Sequence, residues 1–265
     1  MKRYWIGVLA LCFAVNASAV FDGEMELGIG LGGQYIHDYR GSKETQIQFL
    51  PFPFVKYHGD FLKIDRKGVE GEIYASDRFE FNLSADLALN GDSHDNRLRV
   101  GMPELASAAQ MGPSFNINIT GKNFHTGWAA RLPLRGVVAI DTSKVEYIGY
   151  NFAPKLTYQW PKFYGEWDAK ADVGVIYASE KYHRYYYSVE DAFATVERPA
   201  YTATAGYSGA FVKVGAKARY GNIIYGTSIR YDNLEGVVFE DSPLMETTDH
   251  WVVSAGVAWV FYKRN

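Results

Sequence analysis

The sequence predicts an all-β protein, a transmembrane antiparallel up-and-down β-barrel of about twelve strands, with ten as the fallback count. Three observations predict it. Most of the chain alternates apolar and polar residues with a period of two, the mark of strands that send successive side chains to opposite faces. The apolar faces are nearly uniform and often carry Trp, Tyr or Phe at their ends, while the opposite faces carry charges of both signs, as a lipid-facing wall around a wet lumen requires. The three longest polar connections all follow odd-numbered strands, which sets them on one side of a barrel. A soluble sandwich shares the alternation, but its charged faces point to water and its apolar faces meet as a core.

The last stretch, His250 to Tyr262, shows the pattern most cleanly. Trp251, Val253, Ala255, Val257, Trp259 and Phe261 form one apolar face; Ser254, Gly256 and Ala258 form the other. From Trp251 to Trp259 is roughly 26 Å of strand, and a tilt of about 40° leaves roughly 20 Å of membrane height.

The other elements follow in order. The first strand, about Glu24 to Ile36, turns Met25, Leu27, Ile29, Leu31 and Tyr35 outward and Glu24, Glu26, Gly28, Gly30 and Gly32 inward. The second, about Thr45 to Tyr57, carries Pro51 and Pro53, which cannot donate to a ladder, so a kink or bulge is expected. Phe61 to Ile64 and Val69 to Ala75 are the third and fourth strands, or one long bulged strand; merging them would break the parity of the loops. The fifth sets Phe79, Phe81, Leu83, Ala85, Leu87 and Leu89 against Glu80, Asn82, Ser84 and Asp86. A long loop, about Asn90 to Met111, follows. The sixth alternates Phe115, Ile117 and Ile119 with Ser114, Asn116, Asn118 and Thr120. The seventh turns Trp128, Ala130, Leu132, Leu134 and Val138 out, Arg131 and Arg135 in. The eighth turns Ile148, Tyr150, Phe152, Leu156, Tyr158 and Trp160 out, Asn151, Lys155 and Thr157 in, and ends in a turn at Trp160-Pro161. The ninth sets Phe163, Trp167, Ala169, Ala171, Val173, Val175 and Tyr177 against Glu166, Asp168, Lys170 and Asp172. After a second long loop, about Ser179 to Gly209, the tenth sets Ala210, Val212, Val214, Ala216, Ala218 and Tyr220 against Lys213, Lys217 and Arg219. The eleventh sets Ile223, Tyr225, Ile229 and Tyr231 against Ser228, Arg230 and Asp232. The third long loop, about Asn233 to Asp249, leads to the closing strand.

Composition agrees with this architecture. The chain has 265 residues, 16% of them aromatic, with 26 Gly and 9 Pro, and at its mean hydropathy of -0.19 helical membrane spans are not expected. Residues 1–19 have the form of a secretory signal peptide: Lys2 and Arg3, an apolar core Ile6 to Val15, and an Ala17-Ser18-Ala19 cleavage motif. Residues 20–265 then form a single barrel domain. Cleavage removes Cys12, so the mature chain has no disulfide or thiolate site, and Leu11 before it does not suit a lipid anchor. The mature chain carries 25 basic and 30 acidic residues, taking the net charge from -3 to -5, and has no basic run for nucleic acid.

Short motifs recur here in a familiar order: a Gly-alternating strand, Tyr39-Arg40-Gly41-Ser42, Leu50-Pro51-Phe52-Pro53, Met102-Pro103-Glu104-Leu105, Gly112-Pro113-Ser114, Tyr186-Tyr187-Ser188-Val189 and Asp241-Ser242-Pro243. In that order they resemble the MipA/OmpV family of Gram-negative outer-membrane proteins, over nearly the whole mature chain. The resemblance implies an outer-membrane barrel in contact with outer-membrane lipid. It also implies a scaffold role, since the namesake partners a murein lytic transglycosylase and a bifunctional penicillin-binding protein. Other members are linked to adhesion, osmotic response or antibiotic uptake, so a narrow pore or uptake channel and a surface adhesin stay open as alternatives. One departure is the polar tail Lys263-Arg264-Asn265 after Phe261-Tyr262, where outer-membrane strands commonly finish in an aromatic residue.

No catalytic, metal or cofactor site is expected. The histidines (His37, His58, His94, His125, His183 and His250) fall in loops, turns or strand ends, without a nucleophile motif or metal-ligand spacing. Asp92, His94 and Asp95 form a loose cluster read as solvated loop. The candidate lumen charges are Arg131, Arg135, Glu166, Asp168, Asp172, Lys213, Lys217, Arg219 and Arg230, read as a structural ion-pair network ahead of a selective conduit. Tyr182 and Tyr185 to Tyr187 read equally as a contact patch or as aromatic girdle. By position alone, the turns at His58 to Phe61 and Trp160 to Phe163 are candidate periplasmic contacts.

Overall fold

The computed structural model describes residues 23–59, 62–65, 68–88, 93, 96–121, 123–141 and 144–264. The strands are β1 (Glu24–His37), β2 (Thr45–His58), β3 (Leu62–Asp65), β4 (Gly68–Ala75), β5 (Phe79–Ala88), β6 (Ser107–Asn118), β7 (Gly127–Ile140), β8 (Val145–Phe152), β9 (Lys155–Tyr164), β10 (Trp167–Ala178), β11 (Gly206–Tyr220), β12 (Ile223–Asn233) and β13 (Asp249–Arg264). All belong to one antiparallel sheet, and it closes on itself because β13 pairs with β1 and β10 with β11. Two of these strands form a single stave. β8 and β9 are interrupted only at Ala153-Pro154, where the ladder is carried across by Ala153 N–H donating to the Pro133 carbonyl at 3.1 Å and Val175 N–H donating to the Pro154 carbonyl at 3.1 Å. The barrel therefore has twelve staves. Closure is what permits such a sheet to sit in lipid, since an open edge would leave backbone polar groups without partners.

Alternation sets the faces. Outward, Ile29, Leu31, Leu83, Met111, Leu134, Leu156, Val173, Val214, Ile229, Val253 and Val257 form an exposed apolar band. Aromatic residues flank it. Tyr231–Trp251 (4.6 Å) and Tyr177–Tyr207 (5.9 Å) stand toward the long loops; Trp128–Tyr158 (4.8 Å) and Tyr220–Tyr225 (6.3 Å) stand toward the short turns. Two such girdles around an apolar belt are the surface of a bilayer-spanning barrel. Among the described residues no helix is long and apolar enough to cross a membrane.

Several local expectations are corrected. The β1–β2 register runs unbroken from Glu24↔His58 to His37↔Thr45, so the two prolines do not kink β2. Among the described residues β2 pairs β3 only through Tyr57 and His58, and Pro51 and Pro53 therefore fall where one side of the strand has no ladder to satisfy. β3 and β4 are the two separate strands of the first reading and not one bulged strand, forming a short hairpin paired from Leu62↔Gly71 to Asp65↔Gly68. β6 starts at Ser107, well before Met111, which faces outward. Ile148 points inward rather than out, because a bulge pairs Val137 with Gly149 but Val138 with Tyr147. Gly149 takes φ 120° there, and the extra residue inverts the alternation. The turn expected at Trp160-Pro161 lies at Gly165-Glu166, since β9 runs on to Tyr164. The closing strand runs past its last aromatic residue: Lys263 and Arg264 continue β13 and pair with Glu26 and Met25.

The three long loops stand on one end with the loop 38–44, and both ends of the described chain lie at the other. Between β10 and β11 the loop carries a short helix, α1 (Glu180–Tyr187), that the sequence reading left as loop. Ser179 caps it, its side chain accepting from Tyr182 N–H, and Glu180 in the first turn suits the positive end of the helix.

Candidate functional site

The interior has three levels. At the short-turn end the glycines of β1 make room for aromatic rings from β2. A Cβ at Gly30 would lie 2.3 Å from the tip of Phe52, and one at Gly32 would lie 3.4 Å from the same ring. Phe52 and Phe54 pack with Ile224, Ala258 and Val260 into an apolar cluster inside the wall. Beside it, buried Glu26 is held by Arg219 at 2.6 Å and Lys56 at 3.8 Å.

The middle level is a chamber of about 540 Å³. Asp172 accepts from Thr157 Oγ1 at 2.6 Å and pairs with Lys170 at 3.1 Å and Lys155 at 3.8 Å. Arg135 donates to Ser84 Oγ at 3.0 Å, and the buried Arg131 Nε has no hydrogen-bond partner. Higher up, Asp232 is fully buried. Arg230 grips it with two nitrogens at 2.6 and 2.8 Å and Arg40 reaches it at 3.1 Å. The Arg230 guanidinium lies 4.4 Å from the Phe211 ring centroid. A charge sealed this way is stable only with its partners in place.

The upper level is a plug. The long loops fold over the lumen and bury Tyr39, Leu105, Tyr186, Tyr187, Val189, Leu234, Phe239 and Leu244 in one apolar core. Tyr187 stacks on Phe239 at 3.6 Å and 9°. Arginines stitch the loops by donating to backbone carbonyls: Arg99 to Tyr186 and Pro103, Arg198 to Phe193, Leu98 and Val100, and Arg40 to Ser208. Asn96 donates to Asp38 and Ser42, Tyr39 OH to the Leu244 carbonyl and Ser242 Oγ to the Tyr187 carbonyl. Burial raises the Tyr39 and Tyr187 hydroxyls well above the usual phenol range, so both stay protonated. Burial pushes His183 below the ordinary imidazole range, and the Thr204 carbonyl at 2.6 Å only partly offsets this.

Of the residues singled out from sequence, Arg131, Arg135, Asp172, Lys213 and Arg230 meet on the inner wall. Lys217 and Asp168 pair with each other at 3.7 Å in a solvated setting, and Arg219 serves Glu26. Glu166 does not face the lumen; it is exposed in the turn after β9, because that strand runs longer than expected. The tyrosine run is neither girdle nor free patch: Tyr186 and Tyr187 are interior to the plug and Tyr182 lines the chamber. Asp92, His94 and Asp95 lie outside the described residues, and among the described ones no group of three His, Cys, Asp or Glu is arranged for a metal ion. Arg40, Arg99 and Arg198 were missed as plug-forming residues, although the motif segments 39–42, 102–105, 186–189 and 241–243 all converge there.

A closed antiparallel barrel with an apolar belt, paired aromatic girdles and a charged interior defines an outer-membrane β-barrel protein. The model of the family described as MltA-interacting protein MipA matches residues 29–261, and the chain belongs to that family. It is similar to outer membrane protein Omp26La of Vibrio anguillarum, 25% identical over 77% of this chain and 76% of that protein. It is also similar to the putative outer membrane protein YiaT of Escherichia coli K12, 21% identical over 98% of this chain and 99% of that protein. Among solved structures, an outer membrane channel from Pseudomonas putida F1 aligns with 90% of this chain and 96% of its own, at a TM-score of 0.44 and 11% identity. The protein resides in the outer membrane.

Proposed function

We propose that this barrel is a non-enzymatic interaction protein that scaffolds peptidoglycan-remodelling enzymes from the periplasmic side, with a murein lytic transglycosylase and a penicillin-binding protein as its partners. The observation that carries the reading is the plug: the outer mouth is filled by a packed, hydrogen-bonded core, which suits a platform better than an open pore. The family's description, MltA-interacting protein, points the same way. The β9–β10 hairpin offers a contact surface at the short-turn end, with Trp160, Phe163 and Tyr164 exposed and Tyr164 at 75%. The other turn expected to make contact, His58 to Phe61, lies largely outside the described residues. Residues 1–19 serve as a signal peptide cleaved near Ala19, leaving one domain, 20–265.

The test is affinity capture from solubilised envelopes. The native barrel should recover murein-synthesis or murein-cleaving enzymes, and Phe163→Ala with Tyr164→Ala should reduce that recovery several-fold while the barrel stays folded. Recovery of no such enzyme by the native protein would sink the scaffold. The chamber favours a second reading, a narrow pore for small solutes. In planar bilayers that reading requires steady conductance steps that change on charge reversal at Arg131 or Lys217.

A further inference from the structure

The β9–β10 hairpin departs from a plain two-strand ladder at its tip. β7 pairs with β9 only from Arg131↔Lys155 to Gly127↔Gln159, so past Gln159 the described residues give that edge of β9 no ladder. Ring contacts of Tyr158 with Trp128 (4.8 Å) and Trp160 (4.1 Å) mark the level of the lower girdle. Pro161 to Tyr164 continue β9 beyond that level, toward the periplasm.

Across the hairpin, Ala169 pairs with Trp160 and Trp167 with Tyr164. Three residues of β9, Pro161 to Phe163, therefore stand against one residue of β10, Asp168. Without this bulge the register set at Trp160 would place Trp167 opposite Lys162 and leave Phe163 to Glu166 as a loop. With it, the connection shrinks to Gly165-Glu166, with Gly165 at φ 55°, and Phe163 and Tyr164 belong to the strand.

The bulge is not a relaxed conformation. Lys162 takes φ 50°, and among the described residues it alone, glycines aside, has a positive φ. A side chain in that region crowds its own backbone, so the conformation persists only where a neighbour holds it. Asp168 is that neighbour. Its Oδ1 accepts from the Lys162 N–H at 2.9 Å, in place of the ladder partner that the bulge removes, and its Oδ2 lies 3.7 Å from Lys217 Nζ. The hydrogen bond is the operative contact, because both members of the ion pair are half-exposed and screened by water.

We propose that Asp168 is the positioning residue of this hairpin, its carboxylate holding the bulge so that Phe163 and Tyr164 meet a periplasmic protein as strand-borne rather than loop-borne side chains. The inference rests on the scaffold reading above and adds the residue that shapes its contact surface. The gain is preorganisation: exposed aromatic side chains on a fixed backbone lose less freedom on docking than the same side chains on a loop.

The test joins two measurements on the full barrel in detergent micelles. One is the rate of chymotrypsin cleavage after Phe163 and Tyr164, located by mass spectrometry of the fragments. The other is capture of murein-cleaving or murein-synthesis enzymes from solubilised envelopes. Asp168→Ala should speed cleavage at these two positions at least tenfold and lower capture several-fold, to the level of Phe163→Ala with Tyr164→Ala. Asp168→Asn keeps an oxygen acceptor and should restore both to near native values. Lys162→Pro removes the donor and forbids positive φ, so it should reproduce Asp168→Ala. Lys217→Gln should change neither. Heat-modifiable gel migration verifies that each variant keeps the barrel. Native cleavage rates in Asp168→Ala, faster cleavage with undiminished capture, or no rescue by Asp168→Asn would overturn the proposal and leave the scaffold reading standing. A native barrel that captures no murein enzyme would sink the scaffold reading and this inference with it.

Discussion

At His183 a single imidazole reports on the plug. Its ring is fully buried, 4.8 Å from Phe239, its Nδ1 donates to the Thr204 carbonyl, and its Nε2 has no hydrogen-bond partner. Burial, with Arg40 as a minor contributor, holds its folded-state pKa below the ordinary value of about 6.5. As pH falls through that value the unfolded loop takes up a proton before the folded one does. Plug stability is therefore full above about pH 6.5 and declines on acidification toward the folded pKa. Protease cleavage within the long loops should accelerate between pH 7.5 and 5, and His183→Asn should flatten that dependence; an unchanged slope in the variant would reassign the effect. The direction of side chains was legible at this scale wherever alternation was regular, as at Arg131, Arg135 and Arg230. It was not legible at Ile148, because a bulge inverts parity without changing composition.

Among the elements, β1 and β2 show how a glycine stripe and a proline-aromatic strand form one device. Gly28, Gly30 and Gly32 give β1 a face without side chains, and Phe52 occupies the space. Gly30→Val should destabilise the barrel by about 1–3 kcal/mol through overpacking, and Phe52→Ala in the same chain should relieve much of that loss. Urea unfolding from micelles measures both; independent, additive effects would contradict the contact. The two halves of this device were visible in the sequence, but their meeting was not, since it depends on a register spanning separate strands. Helix α1 was hidden for a different reason. It has eight residues, four of them tyrosine, too short and too poor in strong helix formers to show a 3.6-residue period, and its capping serine was the available signal.

For the whole molecule, twelve staves closed by β13 on β1 predict a barrel that resists detergent until heated. Unboiled and boiled samples should migrate differently on a gel, and a heat-indifferent soluble protein would contradict the architecture. This level was the most legible, because lipid outside and water inside impose opposite chemistry on alternate residues of nearly every strand. The plug was the least legible: loops were recognised by polarity and length, while their aromatic and arginine residues pack only once distant segments meet.

That last point bears on how the protein comes into being. The Tyr39–Leu244 hydrogen bond joins residues 205 positions apart, one just after the first strand and the other just before the last. Contacts of such sequence separation form late, after the entropy of closing the intervening chain has been met. The mouth therefore stands open while the wall is zipped and is sealed only when the final strand docks. In a refolding time course, loop protection from protease should lag the appearance of the heat-modifiable form. Simultaneous appearance would mean that the loops template the wall, and assembly would run from the surface inward.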